Sequence, residues 1–130
     1  MSHLKYFSII LVVVALTCGN NTDKLLDGKS FMLTTWDVNH PEKLDKDLLI
    51  FKNGMMDSEA CHQYGFSAAA YKSKIENDKI SFSGTISSAT EGTIRIDGNS
   101  FKNKIEGTML WKKAGQAEIK YAFKGYLSSD

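Results

Sequence analysis

A cysteine beside a histidine is a pairing that can do chemistry. This chain carries it in D-S-E-A-C-H-Q-Y-G-F, residues 57–66. Cys61 and His62 can be read as a nucleophile with its base, as part of a metal clip, or as a piece of scaffold. A thiolate–imidazole couple needs both side chains within hydrogen-bond reach and a third group to orient the ring. In an extended segment neighbouring side chains point to opposite faces, which parts Cys61 from His62. A turn would bring them closer, but no third partner is evident. The scaffold reading therefore leads: Cys61 packs as a small hydrophobe and His62 faces solvent. Cys61 stays the candidate reactive thiol.

Other chemistries find less support. Beyond the first 17 residues the histidines are His40 and His62, and the cysteines are Cys18 and Cys61. No C-x-x-C, H-E-x-x-H or D-x-D-x-D-G pattern is present, so no metal site is expected. Asp57 and Glu59 read as acids solvating strand edges. Acid–base catalysis needs carboxylates in a desolvated site, yet Glu76, Glu106 and Glu118 alternate onto polar faces. G-x-S-x-G and Gly-rich phosphate loops are absent too. Neither a catalytic residue nor a cofactor is expected.

The elements that must position these residues show a period of two. Ile80, Phe82, Gly84 and Ile86 fall on one face, opposite Lys79, Ser81, Ser83 and Thr85. Phe101, Asn103, Ile105, Gly107, Met109 and Trp111 form a second such stripe, and Ile119, Tyr121, Phe123, Gly125 and Leu127 a third. Such alternation marks half-buried strands. Turn residues recur between them: Asn53-Gly54, Asn77-Asp78, T-E-G at 90–92, D-G-N at 97–99 and K-A-G-Q at 113–116. These accept the positive φ of tight hairpins. Strands are expected at 29–36, 47–53, 55–60, 67–75, 79–87, 92–97, 100–112 and 117–127. Residues 39–46 read as a loop, with room for one helical turn over 44–49.

An antiparallel meander of about eight strands with one dry face needs closure, because an open sheet leaves that face and two edges bare. An all-β, up-and-down barrel over 28–130 satisfies both demands; a two-layer sandwich is the alternative. Gly84, Gly107 and Gly125 sit on inward faces, where a tightly bent barrel uses them. Gly65 would let the chain bend into its fourth strand, and Phe66 would plug one end.

The start of the chain sets an address. Lys5 precedes an apolar run at 6–16 that is too short for the roughly 30 Å bilayer core. Residues 1–17 therefore read as a signal peptide. A-L-T-C-G-N at 15–20 resembles a bacterial lipobox, which implies lipid on Cys18 and attachment to the cell envelope. Gly19 after the cysteine then leans toward the outer membrane. The alternative is ordinary cleavage behind Ala15 and Thr17 and release as a soluble protein. A Cys18–Cys61 bridge is open only if Cys18 carries no lipid. Residues 18–27 read as a flexible tether.

The whole chain holds 16 Lys and Arg against 15 Asp and Glu, and loss of Lys5 with the leader balances them. Arg95 is the single arginine. Phosphate backbones need concentrated positive charge, so nucleic acid is not expected as a partner.

The mature chain resembles a minimal lipocalin-like (calycin-type) barrel. F-K-N-G-M-M-D-S-E-A-C-H-Q-Y-G-F-S-A-A-A-Y, with W-K-K-A-G-Q and Y-A-F-K-G-Y-L, is also similar to small uncharacterised secreted bacterial lipoproteins. The first strand offers Gly28-Lys29-Ser30-Phe31 where lipocalins carry G-x-W. The resemblance implies shape and location rather than an activity.

The expected inward set includes Leu33, Phe51, Ile94, Ile105 and Ile119. It also includes the candidate ligand-lining residues Tyr71, Phe82, Met109, Trp111, Tyr121 and Phe123. Either these fill the barrel, leaving an interaction module for another envelope protein, or they surround a small hydrophobic ligand. The surface gives only Leu110 and Tyr126 as signs of a sticky face. An internal volume above about 300 Å3 separates the two cases.

Overall fold

A computed structural model describes residues 23–129 of the 130 in the chain. The expected signal peptide, Cys18 and the first part of the tether lie outside the described residues. Eight antiparallel strands close into one barrel in chain order. They are β1 Ser30–Asp37, β2 Asp45–Lys52, β3 Met55–Ser58, β4 Ala69–Glu76, β5 Lys79–Ser88, β6 Gly92–Phe101, β7 Lys104–Lys112 and β8 Ile119–Ser129. β8 pairs back onto β1, setting Leu33 against Gly125 and Thr35 against Phe123. The sheet has no free edge, as the meander pattern requires.

Hairpins form where local chemistry allows positive φ. Asn53 and Gly54 lie at 53° and 78°, and Asn77 and Asp78 at 51° and 71°. Both are two-residue turns of the mirror-image type, whose twist matches that of paired strands.

One hairpin is displaced from its expected place. D-G-N at 97–99 is no turn. β6 runs straight through it, and the reversal comes at Lys102-Asn103, with Lys102 at φ 57°. Two side-chain facts explain this. Asp97 points outward, where both its oxygens bond the Arg95 guanidinium at 2.8 and 3.0 Å. Gly98 faces inward, where a Cβ would stand 2.9 Å from the Phe82 ring. The glycine makes room for an aromatic rather than bending the chain. The expected strand 100–112 therefore shrinks to β7, and Phe101 turns outward with 40% exposure instead of lining the interior.

The lower half of the barrel is solid. Phe51 meets Phe31, Tyr71 and Phe82 edge-on, at ring-centre distances of 6.1, 4.9 and 5.1 Å. Gly98 and Gly107 are register partners, and Phe82 and Phe123 fill the space their missing side chains leave.

The tether ends sooner than expected. From Lys24 the chain is part of the fold and covers this solid end. Leu26 is 0% exposed. The Lys24 ammonium donates to the carbonyls of Gly54 and Tyr71. Asp27 accepts the Gly54 N–H at 3.0 Å and the Tyr71 hydroxyl at 2.8 Å. Burying Leu26 obliges its backbone N–H to find a partner, and it donates to the Tyr71 oxygen at 3.2 Å. This apolar residue with its bonded neighbours acts as a stopper.

Candidate functional site

The opposite end of the barrel is open. There, between strand ends, a cleft of about 430 Å3 enters the interior. Its apolar wall comes from inward positions on three consecutive strands: Ile94 on β6, Met109 and Trp111 on β7, and Tyr121 on β8. Register makes them neighbours, since Ile94 opposes Trp111 and Met109 opposes Tyr121. Phe66 closes the side left by the short β3. Asp45, Lys46, Gln63, Tyr64 and Glu91 contribute polar groups to the lining. Trp111 is oriented by its indole N–H, which donates to the Glu91 carbonyl at 2.6 Å. The Lys113 ammonium bonds the Glu91 carboxylate at 2.8 Å and holds it below the usual carboxylate range.

One lip of the cleft is a 3-10 helix, Glu59–Tyr64, in place of the extended end expected for the 55–60 strand. Its N-cap Ser58 makes no capping bond. Instead Asp47, reaching from β2, accepts the Ala60 N–H at 2.8 Å and the Ser58 hydroxyl at 2.5 Å. The helix ends at Gly65, whose φ of 86° turns the chain so that Phe66 points inward.

Asp47 is 6% exposed, and it also accepts its neighbour Leu48 N–H at 2.8 Å. Burial pushes its carboxyl above the ordinary range, against the pull of the Ser58, Ala60 and Leu48 hydrogen bonds. An inward, lining carboxylate is an exception to the expectation that the inward positions are almost wholly apolar or aromatic. Its signal was in the sequence, because Asp47 alternates with Leu49 and Phe51 onto one face.

In this 3-10 helix successive side chains fan apart by about a third of a turn. Cys61 faces the cleft, half-buried, while His62 faces solvent with 49% of its side chain exposed. His62 has a partner after all: Nε2 lies 2.7 Å from Asp57 Oδ1, and this bond raises the imidazole above its usual range. No hydrogen bond joins Cys61 to His62. Burial pushes the Cys61 thiol up, and the Asp47 and Asp57 charges add to this. The arrangement is the reverse of what an activated thiolate needs.

Of the expected ligand-lining residues, Met109, Trp111 and Tyr121 line the cleft. Tyr71, Phe82 and Phe123 do not; they are buried in the solid half. Burial and nearby acids, Asp37 first among them, push the Tyr121 hydroxyl above its usual range. Among the described residues no group of three or more His, Cys, Asp or Glu side chains is placed to hold a metal ion.

No family model, curated protein or solved structure matches this chain.

Proposed function

We propose that this protein is a non-catalytic, lipocalin-like binding protein of the bacterial cell envelope. In this reading its open-end cleft holds a small hydrophobic or amphipathic molecule. The observation that carries the reading is the cleft: about 430 Å3, walled by Phe66, Ile94, Met109, Trp111 and Tyr121, with charged groups beside them. That volume falls in the range of small-molecule sites, roughly 300–1,000 Å3. An apolar tail would lie against Met109 and Trp111, and a polar head would meet Lys46 or Gln63. Export and lipidation at Cys18 rest on the sequence of residues 6–20.

Trp111 supplies the test. The other tryptophan, Trp36, alternates outward from Leu33 and Thr35 on β1. An apolar probe entering the cleft therefore shifts Trp111 emission, and Trp111→Phe abolishes the response. Native mass spectrometry of the exported protein should find a co-purified lipid-like mass. A protein that emerges empty and whose emission ignores apolar probes refutes the proposal.

A second reading, a scaffold that binds another envelope protein through its surface, draws support from the solid half of the barrel. Pull-down from intact envelopes separates it from the first. A thiol activity at Cys61 is a third, which Cys61→Ser tests.

A further inference from the structure

Net charge near zero conceals an uneven distribution along the barrel. The open end gathers Asp37, Glu42, Asp45, Asp57, Glu59, Glu91 and Glu118 against Lys43, Lys46, Lys112, Lys113 and Lys120, of which Lys112 and Lys113 pair with Glu118 and Glu91. The stoppered end is different. Lys52 and Lys102 sit at its turns, Lys79 and Lys104 begin the adjoining strands and Lys124 stands midway along β8, all exposed; Asp27 and Asp78 also lie at this end. Lys79, Lys104 and Lys124 line an outer groove of about 380 Å3 across β5–β8, where Glu106 is the carboxylate. Glu76 beside the next turn is paired with Lys74 at 3.7 Å.

The same end exposes large apolar side chains. Met55, Ile75 and Phe101 stand next to its hairpin turns. Tyr126, 64% exposed, opposes both Lys104 and Met32 in the register. Phe101 and Tyr126 belong to the lysine-lined groove, and the Lys102 ammonium stands over the Phe101 ring at 5.4 Å. Val38, Leu44 and Tyr64 are exposed at the open end as well, but at the stoppered end two exposed aromatics share one groove with three lysines. An interface between headgroups and acyl chains suits that combination: aromatic and apolar tips enter it while lysines meet the phosphates. The described chain also begins at this end, with Asp23 five positions after Cys18. Five residues span at most about 18 Å, which would keep a lipidated cysteine close to this end.

We propose that the stoppered end is a docking surface for an anionic lipid bilayer, seated through Phe101, Tyr126 and Ile75 and held by Lys79, Lys102 and Lys104. The acidic open end is repelled by the same surface, so the cleft mouth points away from the membrane. The ligand then arrives from the aqueous side. This last consequence rests on the binding reading given above; the docking surface does not.

The test uses the exported protein carrying Cys18→Ser, which removes the lipid, and sedimentation with vesicles of phosphatidylcholine with or without phosphatidylglycerol. Binding should require phosphatidylglycerol and fade as salt rises. Each of Lys79→Gln, Lys102→Gln and Lys104→Gln should weaken it about fivefold. Phe101→Ser with Tyr126→Ser should weaken it at constant charge, with circular dichroism reporting that the barrel is intact. Lys43→Gln with Lys112→Gln, at the open end, should leave it unchanged. Equal binding to both vesicle types, binding to neither, or equal loss from the open-end pair would overturn the proposal. Trp111 emission reports the cleft separately, and intact mass of the wild type reports the lipid, so the failures are distinguishable.

Discussion

Asp47 on β2 accepts the backbone N–H of Ala60 at 2.8 Å, so a strand residue caps the helix that forms the lip of the cleft. The cap that Ser58 would normally provide is supplied from a neighbouring strand. A carboxylate desolvated at the mouth of an apolar cleft is the cost of holding that lip in place.

Removing this cap should be expensive. Asp47→Ala leaves the Ala60 N–H and the Ser58 hydroxyl without their acceptor, at about 2–3 kcal/mol. Urea denaturation measures it. Hydrogen exchange at Ala60 should accelerate more than exchange in β6 or β7.

Asp47 also gives stability a pH dependence of known sign. Its folded value is raised above the unfolded one, so the native state takes up the proton first. Stability therefore falls as pH rises from the ordinary aspartate range through the raised native value, and levels off beyond it. Asp47→Asn should flatten that segment of the profile. A profile identical to wild type in denaturation across pH would exclude the assignment.

His62 gives a dependence of the same sign, in a higher pH range. Its bond to Asp57 raises the imidazole, so the pair contributes below the usual histidine range and is lost as pH rises through the raised value. The pair is exposed, so the contribution is small and screened by salt. Titration followed by NMR should show the His62 value dropping back in Asp57→Asn.

The paired glycines inside the barrel are sensitive sites. A Cβ on Gly107 would lie 2.1 Å from the Asp97 carbonyl oxygen and 2.7 Å from the Phe123 ring. Gly107→Ala should cost about 3 kcal/mol or more. Gly115, in an open turn at φ 83° with nothing near it, should tolerate alanine at about 1 kcal/mol. Thermal melts of the two variants give the comparison, and equal losses would contradict the packing described.

Cys61 offers a readout of the cleft. Its raised thiol and partial burial predict alkylation slower than that of a free cysteine. A molecule seated against Met109 and Trp111 should slow it further. Alkylation that ignores saturating apolar ligand would place that ligand outside the cleft.

Much of the barrel was legible in the chain. Alternation on the later strands gave an inward face, and Asn-Gly and Asn-Asp fixed two hairpins, because both signals are local. D-G-N at 97–99 reads as a turn because a glycine that bends the chain and one that admits a phenylalanine look alike in sequence. Which of these Gly98 does depends on Phe82, one strand away. The site was half legible for a related reason. Alternation assigns Tyr71, Phe82, Met109, Trp111, Tyr121 and Phe123 to the interior but not to a height along it.

The sequence by itself determined that strands form, where most of them turn, and that an antiparallel meander with one dry face must close, since periodicity and turn chemistry are properties of neighbouring residues. Only the tertiary structure decided that one end is stoppered by Leu26 and the other left open. It also decided that Asp47 caps a helix from across a strand pair, and that two exposed aromatics share one groove with three lysines at the closed end. Those outcomes depend on register and on contacts between residues far apart in the chain, which no local pattern encodes.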